Sequence, residues 1–242
     1  MVCHVLLIEA PGGLVLVDSG LGLADIASPA ERLGRGFLAL SRPRLSVAEA
    51  AATQVKRLGF AVEDVRHVVL THLDLDHAGG LADFPNARAH VMMAEHEAAV
   101  LRSSLFEKAR YRPEHVDTFP RWSLYVERGE TWNGFSAVRG MQGLSDEVLL
   151  VPLVGHTRGH CGVAVQDERG WLLHAGDSYF HHDEVEGKRA PALLEGMQRV
   201  FQMDGAARHH NQARLADLHR GGGVRMFCAH DPNEYVNCGG VL

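Results

Sequence analysis

The chain has 242 residues, 46% of them hydrophobic and 22% charged, with 26 Gly and 9 Pro, which is the composition of a chain that buries a substantial core and argues against disorder. A formal net charge of -6 with 24 Lys+Arg argues against nucleic acid or another polyanion as partner, because phosphate binding draws its affinity from clustered basic side chains. At this length one domain spanning 1–242 is the expected organisation.

Residues 2–8 and 14–17 are apolar, β-rich runs joined by Ala10-Pro11-Gly12-Gly13 and read as a hairpin. The first twenty residues are interrupted by Glu9 and Asp18 and lack a basic leader, so they do not read as a signal peptide. Residues 46–58 carry a capping box, Ser46 with Glu49, then Val47, Ala51, Val55 and Leu58 on one face and Gly59 as a stop, which predicts one helix. A short β-branched run at 66–71 ends directly in His72-Leu73-Asp74-Leu75-Asp76-His77, placing a polar cluster on the loop after a strand. Residues 89–93 read as a strand and 94–104 as a helix, whereas 110–146 shows no readable pattern. Strands follow at 148–154, 162–166 and 171–174, with Glu168-Arg169-Gly170 as the turn between the last two. Helices are predicted over 191–201 and 206–220, the glycines 221–223 break the second, and a closing strand at 224–229 ends at His230. Strands and helices in this mixed order imply an α/β layered fold. No apolar run reaches membrane-spanning length.

Sixteen histidines are the unusual number, and imidazole is the commonest metal ligand. Within six residues His72, Asp74, Asp76 and His77 offer two imidazoles and two carboxylates, three of which alternate so that an extended backbone projects them to one side. Without a cation the carboxylates would repel, and each would be costly to desolvate at the end of a buried strand. Gly79-Gly80 then lets the chain turn sharply. The bland alternative is a solvated polar loop. The four cysteines, Cys3, Cys161, Cys228 and Cys238, form no CxxC pair, which points to reduced thiols and a cytoplasmic location.

Five segments together resemble the metallo-β-lactamase superfamily, whose metal loop reads HxHxDH. Val17-Asp18-Ser19-Gly20 is similar to its early VDTG motif and His72 to His77 to the metal loop. Gly155 to His160 is similar to its GHTxGH motif, Gly176-Asp177-Ser178 to its GD motif, and Ala229-His230-Asp231 to the segment of the last ligand. The resemblance implies a four-layer αββα sandwich with its site along one edge. It implies two divalent metal ions, one held by His72, Asp74 and His156 and the other by Asp76, His77 and His230, with Asp177 bridging. Water activated between the cations is then the nucleophile, and Asp76 or Tyr179 manages the leaving-group proton.

One departure from the pattern is Asp74, where most of the family has a second histidine. Two divalent ions, a hydroxide and the usual two carboxylates leave one net positive charge, and a third carboxylate brings the sum to zero. Zn is the expected ion, with Mn or Fe as the alternatives that the added oxygen donor of Asp74 opens. The other departure is at the start. Family members usually carry another strand and loop before the segment matching Val2 to Glu9, so an N-terminal strand is expected to be missing.

Among the remaining histidines, His160 is read either as a group orienting a ligand or as a structural hydrogen-bond partner. At most one of His181 and His182 is expected to face the metals, since neighbours on an extended segment point opposite ways. Cys161 reads as a small packed hydrophobe. The implied activity is hydrolysis of a lactone or carboxylic ester, as in N-acyl homoserine lactonases. Thioester hydrolysis, di-iron oxidoreductase chemistry and a non-catalytic metal-binding or sensing protein are the alternatives. Asp177 stands where the zinc β-lactamases generally use Cys, which argues against antibiotic hydrolysis. The expected partners are a small-molecule substrate and a second copy of the chain in a homodimer, with no nucleic acid and no membrane.

Overall fold

The structure, a computed structural model, describes residues 1–239. The chain divides into two compact units, the first made of Val5–Val91 and His96–Leu124, the second of Met1–His4, Met92–Glu95 and the residues from Tyr125 onward.

The first unit is built on strands β1 (Leu6–Ala10), β2 (Gly13–Val17), β3 (Val65–Val69), β4 (Arg88–Met92) and β5 (Trp122–Tyr125), which form one sheet in that order. β1 and β2 are the predicted antiparallel hairpin, while β2, β3 and β4 run parallel, so three strands deliver their C-terminal ends to the same edge. β2 is apolar throughout, while β3 and β4 carry Arg66, His67, Arg88 and His90 among their apolar residues and are buried at their C-terminal ends, as suits the middle of a sheet. Helices α1 (Leu23–Ala27), α2 (Pro29–Arg32) and α3 (Arg35–Ser41) fill the stretch after β2. The single helix predicted over 46–58 is instead a 3-10 turn, Val47–Glu49, followed by α4 (Ala51–Arg57). The break falls at Ala50, whose extended backbone makes it the N-cap of α4, and the Ser46 side chain caps nothing. After β3 comes the one-turn helix α5 (Leu75–Ala78), and after β4 come α6 (Met93–Leu101), α7 (Leu105–Arg110) and α8 (Pro113–Val116). Leu16, Val68, Leu70, Leu73, Phe84 and Tyr111 lie at the centre of this unit's core.

The second unit holds the hairpin β6 (Glu130–Trp132) and β7 (Phe135–Ala137) and a four-stranded sheet in the order β11-β10-β9-β8. Its strands are β8 (Val148–Pro152), β9 (Cys161–Asp167), β10 (Gly170–His174) and β11 (Val224–Phe227). β8, β9 and β10 form an antiparallel meander, and β11 adds parallel to β10, so both β10 and β11 end at the same edge. Between them run α9 (Ala192–Phe201) and α10 (Gly205–Gly221), and α11 (Pro232–Asn237) follows β11. Leu149, Val151, Leu153, Leu173, Tyr179 and Leu215 lie at the centre of this core. Among the described residues no helix is long and apolar enough to cross a membrane.

Candidate metal centre

In the first unit the predicted cluster does not stay extended. Asp74 is the N-cap of α5, and Leu75, Asp76, His77 and Ala78 form its single turn, so the cluster is displayed on a helical hook rather than along one side of an extended segment. His72 and His77 meet ring to ring with centroids 4.0 Å apart. His72 Nε2 lies 3.4 Å from Asp74 Oδ2, and His77 Nε2 lies 4.0 Å from Asp76 Oδ1. Gly79 and Gly80, expected to serve a sharp turn, have ordinary negative φ. Their lack of a side chain is needed for space, because a Cβ on Gly80 would overlap the Ser19 carbonyl and one on Gly79 the Asp25 carboxylate. The Ser19–Gly20 backbone can therefore sit on the hook, where Gly80 N–H donates to Gly20 O at 2.8 Å and Ser19 Oγ–H to His77 O at 2.8 Å.

Asp18 organises this half. It is buried, adopts a left-handed φ of 60°, and accepts from Thr71 N–H, Thr71 Oγ1–H and His77 Nδ1–H, each at 2.8 Å. With its own proton committed to Asp18, Thr71 Oγ1 accepts from His72 Nδ1–H at 3.0 Å. One carboxylate thus fixes the tautomers of both imidazoles, putting their protons on Nδ1 and their lone pairs on Nε2. The VDSG motif marks Asp18 without assigning it a task, and no sequence pattern singles out Thr71. Arg110 was missed altogether, because its partner lies 36 positions away: its guanidinium forks onto Asp74, Nε to Oδ1 at 2.5 Å and Nη2 to Oδ2 at 2.6 Å.

In the second unit the ends of β8, β10 and β11 deliver His156, Asp177 and His230, all buried. The Asp177 carboxylate takes both imidazoles, His156 Nε2 at 3.3 Å and His230 Nε2 at 3.2 Å. His230 Nδ1–H donates to the Val2 carbonyl at 2.7 Å, so its Nε2 lone pair is the atom that faces Asp177. His160 orients rather than ligates: its Nδ1–H donates to Leu153 O at 2.9 Å while its Nε2 accepts from Asp177 N–H at 2.9 Å. Gly159 beside it packs directly on the backbone of Glu95, whose Oε2 accepts from Gly159 N–H at 3.0 Å.

Tyr179 does not fit the catalytic role expected of it. Its ring is fully enclosed in the core, and its hydroxyl donates to Glu234 at 3.0 Å. Burial, reinforced by the Glu234 charge, raises that hydroxyl well above its ordinary pKa, so it neither reaches a substrate nor gives up a proton readily. The aromatic ring beside the donors is Phe180, edge-on to His230 at 5.0 Å and to His156 at 6.1 Å. His181 and His182 stack at 4.2 Å instead of diverging, because the chain leaves its extended path there for the 3-10 turn His182–Glu184. His182 Nδ1 pairs with Asp231 at 2.6 Å. Cys161 is buried, as expected of a packed hydrophobe.

The donor chemistry fits divalent cations. Where His230 Nε2 faces an Asp177 oxygen and His72 Nε2 faces an Asp74 oxygen, a lone pair meets a carboxylate, and each imidazole proton is already committed to Nδ1. Such contacts repel unless a cation sits at them, and neutral imidazole with carboxylate is a donor set suited to Zn, Fe or Mn.

The sequence model of the Metallo-beta-lactamase superfamily matches residues 1–220. The chain belongs to this superfamily. The relatives of this superfamily member include a probable metallo-hydrolase of Mycobacterium tuberculosis, 41% identical over 97% of this chain and 76% of that protein. They also include an N-acyl homoserine lactonase of Rhizobium radiobacter, 38% identical over 96% of this chain and 82% of that one. Among solved structures, an N-acyl homoserine lactone hydrolase with its product bound at the catalytic metal centre superposes with a TM-score of 0.71. It covers 97% of this chain and 83% of its own at 22% identity, which establishes the α/β metallo-β-lactamase fold. Membership makes the chain a metallo-hydrolase that works with divalent metal ions.

Proposed function

We propose that this superfamily member is a two-metal hydrolase of lactones or simple carboxylic esters, with N-acyl homoserine lactones as the leading substrate class. In this reading His72, Asp74 and His156 hold one ion, Asp76, His77 and His230 hold the other, and Asp177 is shared between them. Zn is the first choice of metal. Bound ions would supply a water acidified toward neutral pH and a Lewis acid for the substrate carbonyl.

The chain's own contribution is to hold the donors in the correct tautomer and to handle the proton. Asp18 keeps His77 directly, and His72 through Thr71, with lone pairs on Nε2, and the Val2 carbonyl does the same for His230. Asp76, whose side chain is 22% exposed, is the carboxylate assigned to pass a proton to the departing alkoxide. Tyr179, being enclosed, does not share that task. Phe180 offers an apolar face beside His156 and His230, against which the methylenes of a lactone ring or the first carbons of an acyl chain would pack.

The observation that carries the lactone reading is the likeness to an N-acyl homoserine lactonase along nearly the whole chain, 38% over 96% of its length. An Asp rather than a Cys at 177 agrees with it. The test is elemental analysis of the purified protein, followed by proton-release assays on acyl homoserine lactones, aryl esters and thioesters after loading with Zn, Mn or Fe. Two equivalents of metal and turnover of lactones ahead of thioesters are expected. Metal-replete protein that turns over only thioesters, or nothing, overturns the proposal.

A further inference from the structure

Asp74 is the position at which this chain leaves its family's pattern, and the structure gives that position a partner. Arg110, at the end of α7, is buried with its guanidinium 5.7 Å from the Phe106 ring centroid, and it meets Asp74 with two parallel hydrogen bonds of 2.5 and 2.6 Å. The helix that carries it is firmly set, because Ser104 and Glu107 form a reciprocal capping box at its start. A carboxylate has about four lone-pair positions, and a guanidinium approaching side-on through Nε and Nη2 uses one on each oxygen. Oδ2 therefore keeps acceptor capacity on the side where His72 Nε2 lies 3.4 Å away.

Fastening α7 to the loop is a weak account of this pair. Desolvating two opposite charges offsets most of their attraction, so a buried ion pair of this kind adds little stability by itself. Its effect on charge is large by comparison. An isolated Asp in place of a neutral imidazole would add a full negative charge to the donor set, whereas Asp74 and Arg110 together add none.

We propose that Arg110 is a positioning residue that lets Asp74 stand in for the family's second histidine, by fixing the carboxylate and by making the pair as neutral as the imidazole it replaces. The inference rests on Asp74 being a metal donor, as proposed above. It removes the reason for expecting a harder ion than Zn, and it makes the two positions interdependent: a histidine at 74 is compatible with the site only when the cation at 110 is gone.

The experiment is a double-mutant cycle on the full chain, read as zinc affinity by competition with a chromophoric chelator. Asp74→His alone should weaken zinc binding by about tenfold or more, the size of effect that misplaced neighbours of metal ligands produce. Adding Arg110→Met to it should restore the affinity to within about threefold of the starting protein. A double variant that binds no better than Asp74→His overturns the inference. Asp74→Asn with and without Arg110→Met repeats the cycle without enlarging the side chain, and melting in EDTA identifies any variant that has lost its fold. The pair Asp74→Ala with Arg110→Met separates the two claims. If it binds zinc as the parent does, Asp74 is no donor and the ligand set itself is wrong; if it is weakened while the cycle shows no coupling, only the role of Arg110 falls.

Discussion

Replacing Asp18 by Asn tests whether tautomer control, rather than the donors alone, makes this a metal site. Asn is close to isosteric with Asp and tolerates the left-handed φ of 60° at this position, so the backbone is not strained by the change. The amide oxygen can keep the bond from Thr71 N–H, but an NH2 group now occupies the place of Oδ2, facing two former donors, Thr71 Oγ1 and His77 Nδ1. Each hydrogen bond to a buried charged group contributes about 1.5–3 kcal/mol, and partial recovery through rotation of the Thr71 hydroxyl leaves a net loss of about 2 kcal/mol in the metal-free protein. The larger consequence follows from His77. With Nδ1 accepting from the amide, its proton moves to Nε2 and blocks the donor lone pair, for an expected loss of about 10- to 100-fold in metal affinity. Chelator competition measures the affinity and denaturant melts in EDTA measure the stability. Affinity within about threefold of the parent, alongside the expected drop in stability, would show that Asp18 supports the fold without governing the donors.

Tyr179→Phe should leave kcat within about threefold and lower stability by about 1 kcal/mol through the loss of its bond to Glu234; a collapse in kcat at normal metal content would return Tyr179 to the chemistry. Gly159→Ala should cost at least about 3 kcal/mol in a denaturant melt, because its new Cβ would overlap the Glu95 backbone, which cannot yield as a side chain could; a change below about 1 kcal/mol would refute that packing. Stability should also fall in acid. Burial, with the neighbouring His174 charge, lowers the pKa of His4 to about 3, and burial with the charges of His67 and Arg88 does the same for His90. Both are neutral in the fold but protonated in the unfolded chain below about pH 6.5, so their contribution is complete above that value and drains away as the pH falls toward 3. At about pH 5 each costs about 2 kcal/mol, and His4→Phe should remove one such increment from the difference between urea melts at about pH 7.5 and about pH 5. An unchanged difference would show that His4 is not the group responsible.

The strands that bear the donors were legible because buried strands announce themselves as apolar runs and each run here stops abruptly at a polar residue, as at Thr71 and at His230. The donors within each unit were legible for the same reason. What escaped was whatever depends on contact between distant positions. Arg110 belongs to the stretch with no readable pattern, and only the folded chain shows that it meets Asp74. Tyr179 was misplaced because sequence offset cannot tell which of two adjacent aromatics turns toward the donors, and the backbone presents Phe180. The helix expected at 46–58 failed at Ala50, a strong helix former whose local preference is overridden, leaving two shorter elements.

The bond from His230 to the Val2 carbonyl joins positions 228 apart, and Val2 N–H reciprocates to the His230 carbonyl at 3.3 Å. An imidazole aimed from so far along the chain acquires its direction only once these two segments have come together in the fold. Metal retention would therefore report tertiary closure between residues 2 and 230 rather than the local order of either segment.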